Sequence, residues 1–193
     1  MAIIIPADLT IVTLRDGGRE LPQRWTAEHA VAVLRQASNL LKGQADIEFH
    51  LGACEEVVDV MPSGGAPDAL DEAGYDVLAS AYTAGDGVRV LLVDRVSGPE
   101  PGVHAWQPSR VCALAWGADL GAASRMMAHG LGHLLSLPHV DSGRASETSR
   151  DNRVAAWTKN LMYSGPLSSS AALTPTQVRA ARSSPLARRF GGR

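Results

Sequence analysis

Several features that would mark a specialised class of protein are scarce in this sequence. Of its 193 residues only two are cysteine, which is too few for a scaffold held by disulfides. Aromatic residues make up 5%, and 18 Lys and Arg against 20 Asp and Glu give a formal net charge of −2. A chain with this balance has no overall field that attracts nucleic acid, so we expect no nucleic-acid partner.

Long hydrophobic runs are also missing. No apolar stretch approaches the about 20 residues of a membrane-spanning helix, so no membrane contact is predicted. The first residues, Met1 to Pro6, have neither a basic segment nor a long apolar one, which argues against a secretory signal. We expect a cytoplasmic protein, or a secreted one whose leader was removed. Cys54 and Cys112 are predicted to be buried thiols, with one disulfide as the alternative for an exported protein.

What the sequence does contain is the composition of one globular domain, with 45% hydrophobic and 20% charged residues. Strand-like and helix-like periodicities alternate along it, which favours an α+β or α/β domain. The predicted strands cover residues 9–14, 47–60 (bent near Gly52), 88–93, 103–107 and 110–116. The predicted helices cover residues 27–42, 68–81, 120–135 and a last segment from 175. Thr26, Asp119 and Thr174 are the predicted N-caps, the last within a capping box. Residues 61–86, which begin with the Pro- and Gly-rich stretch 61–67 and include the helix predicted at 68–81, are predicted to be a surface insertion.

Three histidines stand at the spacing of metal ligands. His129 and His133 are four residues apart on a predicted helix, so both side chains project from one face. Pro138 ends helical geometry, and the turn there can bring His139 back to the same ion. Three imidazoles with one open position are typical of a catalytic zinc site. The other histidines lack this spacing, and His29 is predicted to be exposed on the first helix.

The stretch 129–139 resembles the zinc motif H-E-x-x-H-x-x-G-x-x-H of the metzincin peptidases, with all three histidines in register. The segment Asn160-Leu-Met-Tyr-Ser164 is similar to the methionine turn of that family, closest to its matrixin form. The resemblance implies a single metzincin-like α+β domain over residues 1–193, with a twisted mixed sheet and an active-site helix. Its upper part would cover about 1–136 and its smaller helical lower part about 137–193. It also implies one Zn²⁺ bound by the three histidines, with Met162 beneath it.

Two positions depart from the family motif. Gly130 stands where the family has the glutamate that acts as general base, and losing such a group typically costs about 10²–10⁴ in rate. The family geometry does not call for glycine there, so we expect no structural gain from it. Ser136 stands where the family has a glycine that ends the helix. Serine can end a helix too, although the left-handed conformation costs it more.

Gly130 leaves three interpretations open. In the first, the chain is a zinc hydrolase that acts on a peptide or amide-like substrate through zinc-bound water, with peptidase activity impaired or repurposed. In the second, it is an inactive pseudoprotease that binds a peptide or protein partner. In the third, Gly130 is an engineered or incidental change in a peptidase. Possible substitute bases precede the methionine turn or lie on the strand beside the cleft: Asp141, Glu147, Asp151 and His104.

Overall fold

The computed structural model describes residues 2–16, 18–60, 69–97, 102–106, 108–140, 159–164 and 172–191. The first part of the predicted insertion, 61–68, lies outside these ranges, and the remainder is not confined to the surface, because Tyr75 and Leu78 are buried. The strands are β1 Ile3–Asp16, β2 Arg19–Glu20, β3 Ile47–Val60, β4 Val88–Val93, β5 Val103–Trp106 and β6 Val111–Ala115. The helices are α1 Ala27–Ala45, α2 Glu72–Ala81, α3 Leu120–Leu134, α4 Pro175–Arg182 and α5 Pro185–Phe190. Helix α5 was not predicted, and no helix in these ranges is long and apolar enough to cross a bilayer.

One twisted mixed sheet organises the chain. Strands β3, β1, β4 and β6 lie side by side and run parallel, and β5 pairs antiparallel with β6 at the edge. The short β2 folds back on the end of β1. The predicted bend near Gly52 is confirmed, because the pairing of β1 with β3 changes register between Ala7 and Leu9. The Asp8 carboxylate accepts a hydrogen bond from Ala53 N (3.0 Å) at this irregularity.

The helices begin where their capping residues predict. Thr26 accepts a hydrogen bond from His29 N at the start of α1, and Asp119 accepts one from Ala122 N at the start of α3. Thr174 opens α4 with the complete capping box. Each cap satisfies amide groups that the first helical turn leaves without a partner. The exception is α2, which begins at Glu72, after the cap Asp71, and not at residue 68.

The two faces of the sheet carry different helices. Side chains alternate along a strand, so β1 presents Leu9 and Ile11 to one cluster and Val12 to another. The first cluster joins the sheet to α1 and α3, and the second joins it to α2. Helix α3 also packs against β5 and β6, so the histidine-bearing helix lies beside the antiparallel edge of the sheet.

The backbones of β1 and β4 approach closely at Gly87, just before β4. A Cβ at this position would overlap the Pro6 carbonyl oxygen of β1, whereas a Cβ at Gly43 in α1 would meet nothing within 4 Å. We expect Gly87→Ala to lower the free energy of unfolding by at least about 2 kcal/mol, because backbone atoms must move apart. Gly43→Ala should raise it by about 1 kcal/mol through helix propensity. Urea denaturation measures both, and equal stability of the two variants would contradict the packing.

Candidate metal centre

Helix α3 places His129 and His133 on one side, one turn apart. His129 is buried, and His133 is half-buried near the helix end. The helix stops in a Schellman motif, in which Ser136 N donates to His133 O (2.9 Å) and Leu137 N donates to Gly132 O (3.0 Å). Ser136 adopts the left-handed conformation (φ 66°) that this motif requires, as its place in the sequence predicts. The chain therefore reverses sharply after the second histidine.

The turn carries His139 back to the other two rings. The three Nε2 atoms are 3.0 Å apart for His133 and His129, 3.0 Å for His133 and His139, and 3.2 Å for His129 and His139. The spacing of the three histidines predicts that these side chains meet, and the structure brings them together. No Asp, Glu or Cys of the described ranges joins this group.

Backbone carbonyls determine which ring nitrogens carry hydrogen. His129 Nδ1 lies 2.7 Å from the Leu161 carbonyl oxygen, and His133 Nδ1 lies 2.9 Å from the Leu137 carbonyl oxygen. A carbonyl oxygen only accepts, so both Nδ1 atoms must donate. In a neutral imidazole the Nε2 atom then holds a lone pair. When both rings are neutral, two lone pairs thus face each other at about 3 Å, which is repulsive unless a proton or a metal ion lies between them.

The donor set fits a zinc ion. Three nitrogens on a tetrahedral zinc lie about 3.3 Å apart, because each Zn–N bond is about 2.05 Å long. The observed separations of 3.0–3.2 Å are close to this value. Neutral imidazoles whose second nitrogen donates to a carbonyl are the usual form of histidine ligands. His129, His133 and His139 could therefore hold one divalent metal ion.

The segment 160–163 lies against this group. Met162 is fully buried, its carbonyl oxygen accepts from Val140 N (2.9 Å), and its amide donates to the Asn160 side chain (2.8 Å). A Cβ at Gly132 would lie 2.5 Å from Met162 Sδ, so the absence of a side chain at 132 lets the thioether reach the helix between the two histidines. Met162 thus packs directly on the turn of α3 that carries His129 and His133.

Gly130 faces the sheet, and its surroundings correct the expectation that glycine brings no structural gain there. A Cβ at this position would lie 2.9 Å from Val103 Cγ2 of β5 and 3.6 Å from Cys112 Sγ of β6. Helix α3 therefore packs on the edge of the sheet at a distance that suits glycine. The helix propensity lost at Gly130 is offset by this close approach.

The predicted substitute bases are not brought to the histidines in the described ranges. His104 is on the opposite face of β5 from Val103: its Nε2 is 2.9 Å from Ser97 O, and its ring lies on Tyr75 of α2. The alternation of side chains along a strand explains this placement. Asp141, Glu147 and Asp151 lie outside the described residues.

His29, predicted to be exposed, is instead half-buried. Its Nε2 is 3.0 Å from Gly117 O, and its ring packs on Trp25. The first turn of α1 lies against the end of β6, which the periodicity of α1 alone does not reveal.

The two cysteines are free thiols, and only one is buried as predicted. Cys112 is enclosed behind Gly130, and burial raises the pKa of its thiol to about 12. Cys54 is half-buried; burial first, and then Glu56 and Glu55, raise the pKa of its thiol. Neither thiol lies in the histidine group.

The architecture has a clear counterpart among solved structures. Archaemetzincin from Methanopyrus kandleri superposes with a TM-score of 0.59 over 97% of this chain and 96% of its own, at 10% identity. The chain has a metzincin-like fold. The metzincin-like fold confirms the predicted α+β class, the single domain and the twisted mixed sheet. No protein-family model matches the sequence, and no curated protein matches it.

Ser136 offers a test of the helix end. Because a left-handed residue costs an L-amino acid about 1 kcal/mol more than glycine, Ser136→Gly should raise the free energy of unfolding by about that amount. Ser136→Ala is the matched control. Its free energy of unfolding should stay within a few tenths of a kcal/mol of the unaltered protein, since alanine has the same strain in the left-handed conformation. Chemical denaturation measures both. Equal stabilities of the Gly and Ala variants would show that Ser136 is not held in the left-handed region.

Cys112 predicts a dependence of stability on alkaline pH. An unfolded chain releases the thiol proton near the ordinary pKa of 9.0, whereas the folded chain holds it to about 12. The free energy of unfolding should therefore fall as pH rises above about 9, with a slope approaching 1.4 kcal/mol per pH unit. Denaturation of the protein and of its Cys112→Ala variant between pH 8 and 10.5 isolates this slope. Parallel curves for the two would contradict a buried, protonated thiol.

Proposed function

We propose that this chain is a zinc-dependent hydrolase of metzincin peptidase ancestry that acts on a peptide or amide-like substrate. The observation that carries the proposal is the convergence of three imidazole Nε2 atoms within 3.2 Å. The likeness of the fold to archaemetzincin supports the ancestry. In this proposal the segment around Met162 is a methionine turn of the matrixin form.

The three histidines would hold one zinc ion and leave a fourth coordination position open, as catalytic zinc sites do. Zinc supplies Lewis acidity, with which a substrate carbonyl is polarised or a water molecule is made more acidic. His129 and His133 are already oriented for this role, because Leu161 and Leu137 accept their Nδ1 hydrogens. Little reorganisation of the protein would accompany metal binding.

Strand β5 supports a peptide as the substrate. It is the edge of the sheet beside α3, and in the described part of the chain it pairs with β6 alone. An extended peptide can add to such an edge through main-chain hydrogen bonds. A peptide held there would run close to the helix that carries His129 and His133.

Proton transfer is where this chain would differ from the family. Residue 130 has no side chain, so it can neither accept nor donate a proton, and peptide hydrolysis should run about 10²–10⁴ slower than with a positioned carboxylate. Asp141 and Glu147 remain candidate proton acceptors. His104 is not favoured, because its ring packs against Tyr75 on the other face of β5.

A second candidate function is favoured by the packing of Gly130. The space that the first side-chain atom of a glutamate needs is taken by Val103, so the lack of a general base is built into the contact between α3 and β5. A chain of this kind could bind a peptide along β5 without cutting it. This second candidate is the pseudoprotease, and it would keep the metal site.

The test compares the protein with Gly130→Glu/Val103→Ala, in which the smaller residue 103 makes room for the glutamate. Val103→Ala alone and His133→Ala are the controls. Elemental analysis and chelator competition should show one zinc per chain, bound at least 100-fold more weakly by His133→Ala. Incubation with a mixed peptide library, read by mass spectrometry, should show zinc-dependent cleavage by the protein. The double variant should cleave about 10²–10⁴ faster.

Each remaining outcome points elsewhere. Cleavage by the double variant alone, with uncut peptide retained by the unaltered protein, would favour the pseudoprotease. Stoichiometric zinc without cleavage by any form would reject peptide hydrolysis. Absence of zinc from protein prepared in metal-replete medium would overturn both functions.

A further inference from the structure

The carbonyl group that orients His129 is held by a network of side-chain amides, far from the histidines in sequence. Leu161 O accepts from His129 Nδ1, and Leu161 lies between Asn160 and Met162 in one tight turn. The turn has to keep this carbonyl pointed at the ring, because a rotated peptide would leave Nδ1 without its acceptor. Any group that fixes the conformation of this turn therefore also fixes which nitrogen of His129 carries hydrogen.

Asn160 is the side chain that holds it. Asn160 is 7% exposed, and its Oδ1 accepts from the amide of Met162 (2.8 Å), which closes the turn around Leu161. Its Nδ2 donates to Gln177 Oε1 (2.9 Å), and Gln177 Nε2 donates back to Asn160 Oδ1 (3.2 Å). The two amide groups thus form a reciprocal pair, which fixes the plane of the Asn160 side chain.

Gln177 belongs to the first turn of α4 and has a second set of contacts. Its Oε1 also accepts from Thr174 N (2.9 Å), which completes the capping box. The capping box needs a Glu or a Gln at this position, but only glutamine can also donate to Asn160. The choice of glutamine is explained by the amide pair and not by the cap.

We propose that the Asn160–Gln177 amide pair is a positioning element of the metal centre, and this rests on the proposed zinc site. The pair fixes the Leu161 carbonyl, the carbonyl holds the hydrogen of His129 on Nδ1, and His129 Nε2 is left as a metal ligand. Asn160 and Gln177 act through Leu161 and do not touch the ion or the substrate.

Gln177→Glu tests this directly, because glutamate keeps the acceptor of the capping box but places a charged oxygen, which cannot donate, against Asn160 Oδ1. Zinc affinity from chelator competition should fall about tenfold, the lower end for groups that orient a ligand. Thr174→Ala is the matched control: it removes a hydroxyl that contacts Gln177 N (3.2 Å) and Gln177 Oε1 (3.1 Å) and so weakens the cap of α4, but it leaves both hydrogen bonds between the two amides in place. Its zinc affinity should stay within twofold. Asn160→Asp removes the other donor of the pair, keeps the acceptor for Met162 N, and should repeat the loss.

A second measurement separates this proposal from the proposed function. Long-range ¹H–¹⁵N correlation spectra of the metal-free protein report which nitrogen of His129 carries hydrogen. The unaltered protein and Thr174→Ala should show the Nδ1–H form, and Gln177→Glu should show a mixture with the Nε2–H form. Unchanged tautomer and affinity in Gln177→Glu and Asn160→Asp, or equal losses in Thr174→Ala, would overturn the proposal. Because the spectra need no metal, they report the effect of the amide pair on His129 separately from zinc binding, whereas absence of zinc would overturn the proposed function.

Discussion

The structure around α3 depends on one arrangement, in which the Nε2 atoms of His129, His133 and His139 lie within 3.2 Å of one another. Two of these nitrogens are fixed as lone-pair donors by hydrogen bonds from the opposite side of each ring, to Leu161 O and Leu137 O. Two such groups about 3 Å apart form an arrangement that a cation would stabilise. The cap of α3, the Schellman turn and the segment 160–163 all serve to hold this arrangement.

Helix α3 contains two glycines, which are weak helix formers, at the positions where it packs most closely against its neighbours. Gly130 turns its bare Cα toward Val103 and Cys112 of the sheet, while Gly132 turns its own toward Met162. Each glycine costs about 1 kcal/mol of helix propensity relative to alanine. In return, the turn that carries the two histidines packs closely between the sheet edge and the buried thioether of Met162.

The features that could be predicted from the sequence are those set by local chemistry. The caps at Thr26, Asp119 and Thr174 are one-residue signals, and the spacing of His129 and His133 follows from helix geometry. Features set by tertiary contact were missed. The roles of the Leu161 and Leu137 carbonyls cannot be predicted, because every residue type has a backbone carbonyl. The contact of Met162 with α3 had one indication in the sequence, because Gly132 between the two histidines leaves room for a close neighbour. The face of the sheet on which His104 lies depends on the exact pairing of β5, because a shift of one residue moves each side chain to the opposite face.

The hydrogen bond from His129 to Leu161 joins residues 32 positions apart, whereas the Schellman turn is made within α3 and the residues that follow it. The ring of His133 can therefore be oriented as soon as α3 and its turn have formed, because its acceptor lies only four residues away. The ring of His129 gains its acceptor only when residues far apart in sequence have met, which is the slower kind of step in folding. The two histidines of one helix should therefore become ordered at different stages, His133 first and His129 after the C-terminal segment has packed against α3.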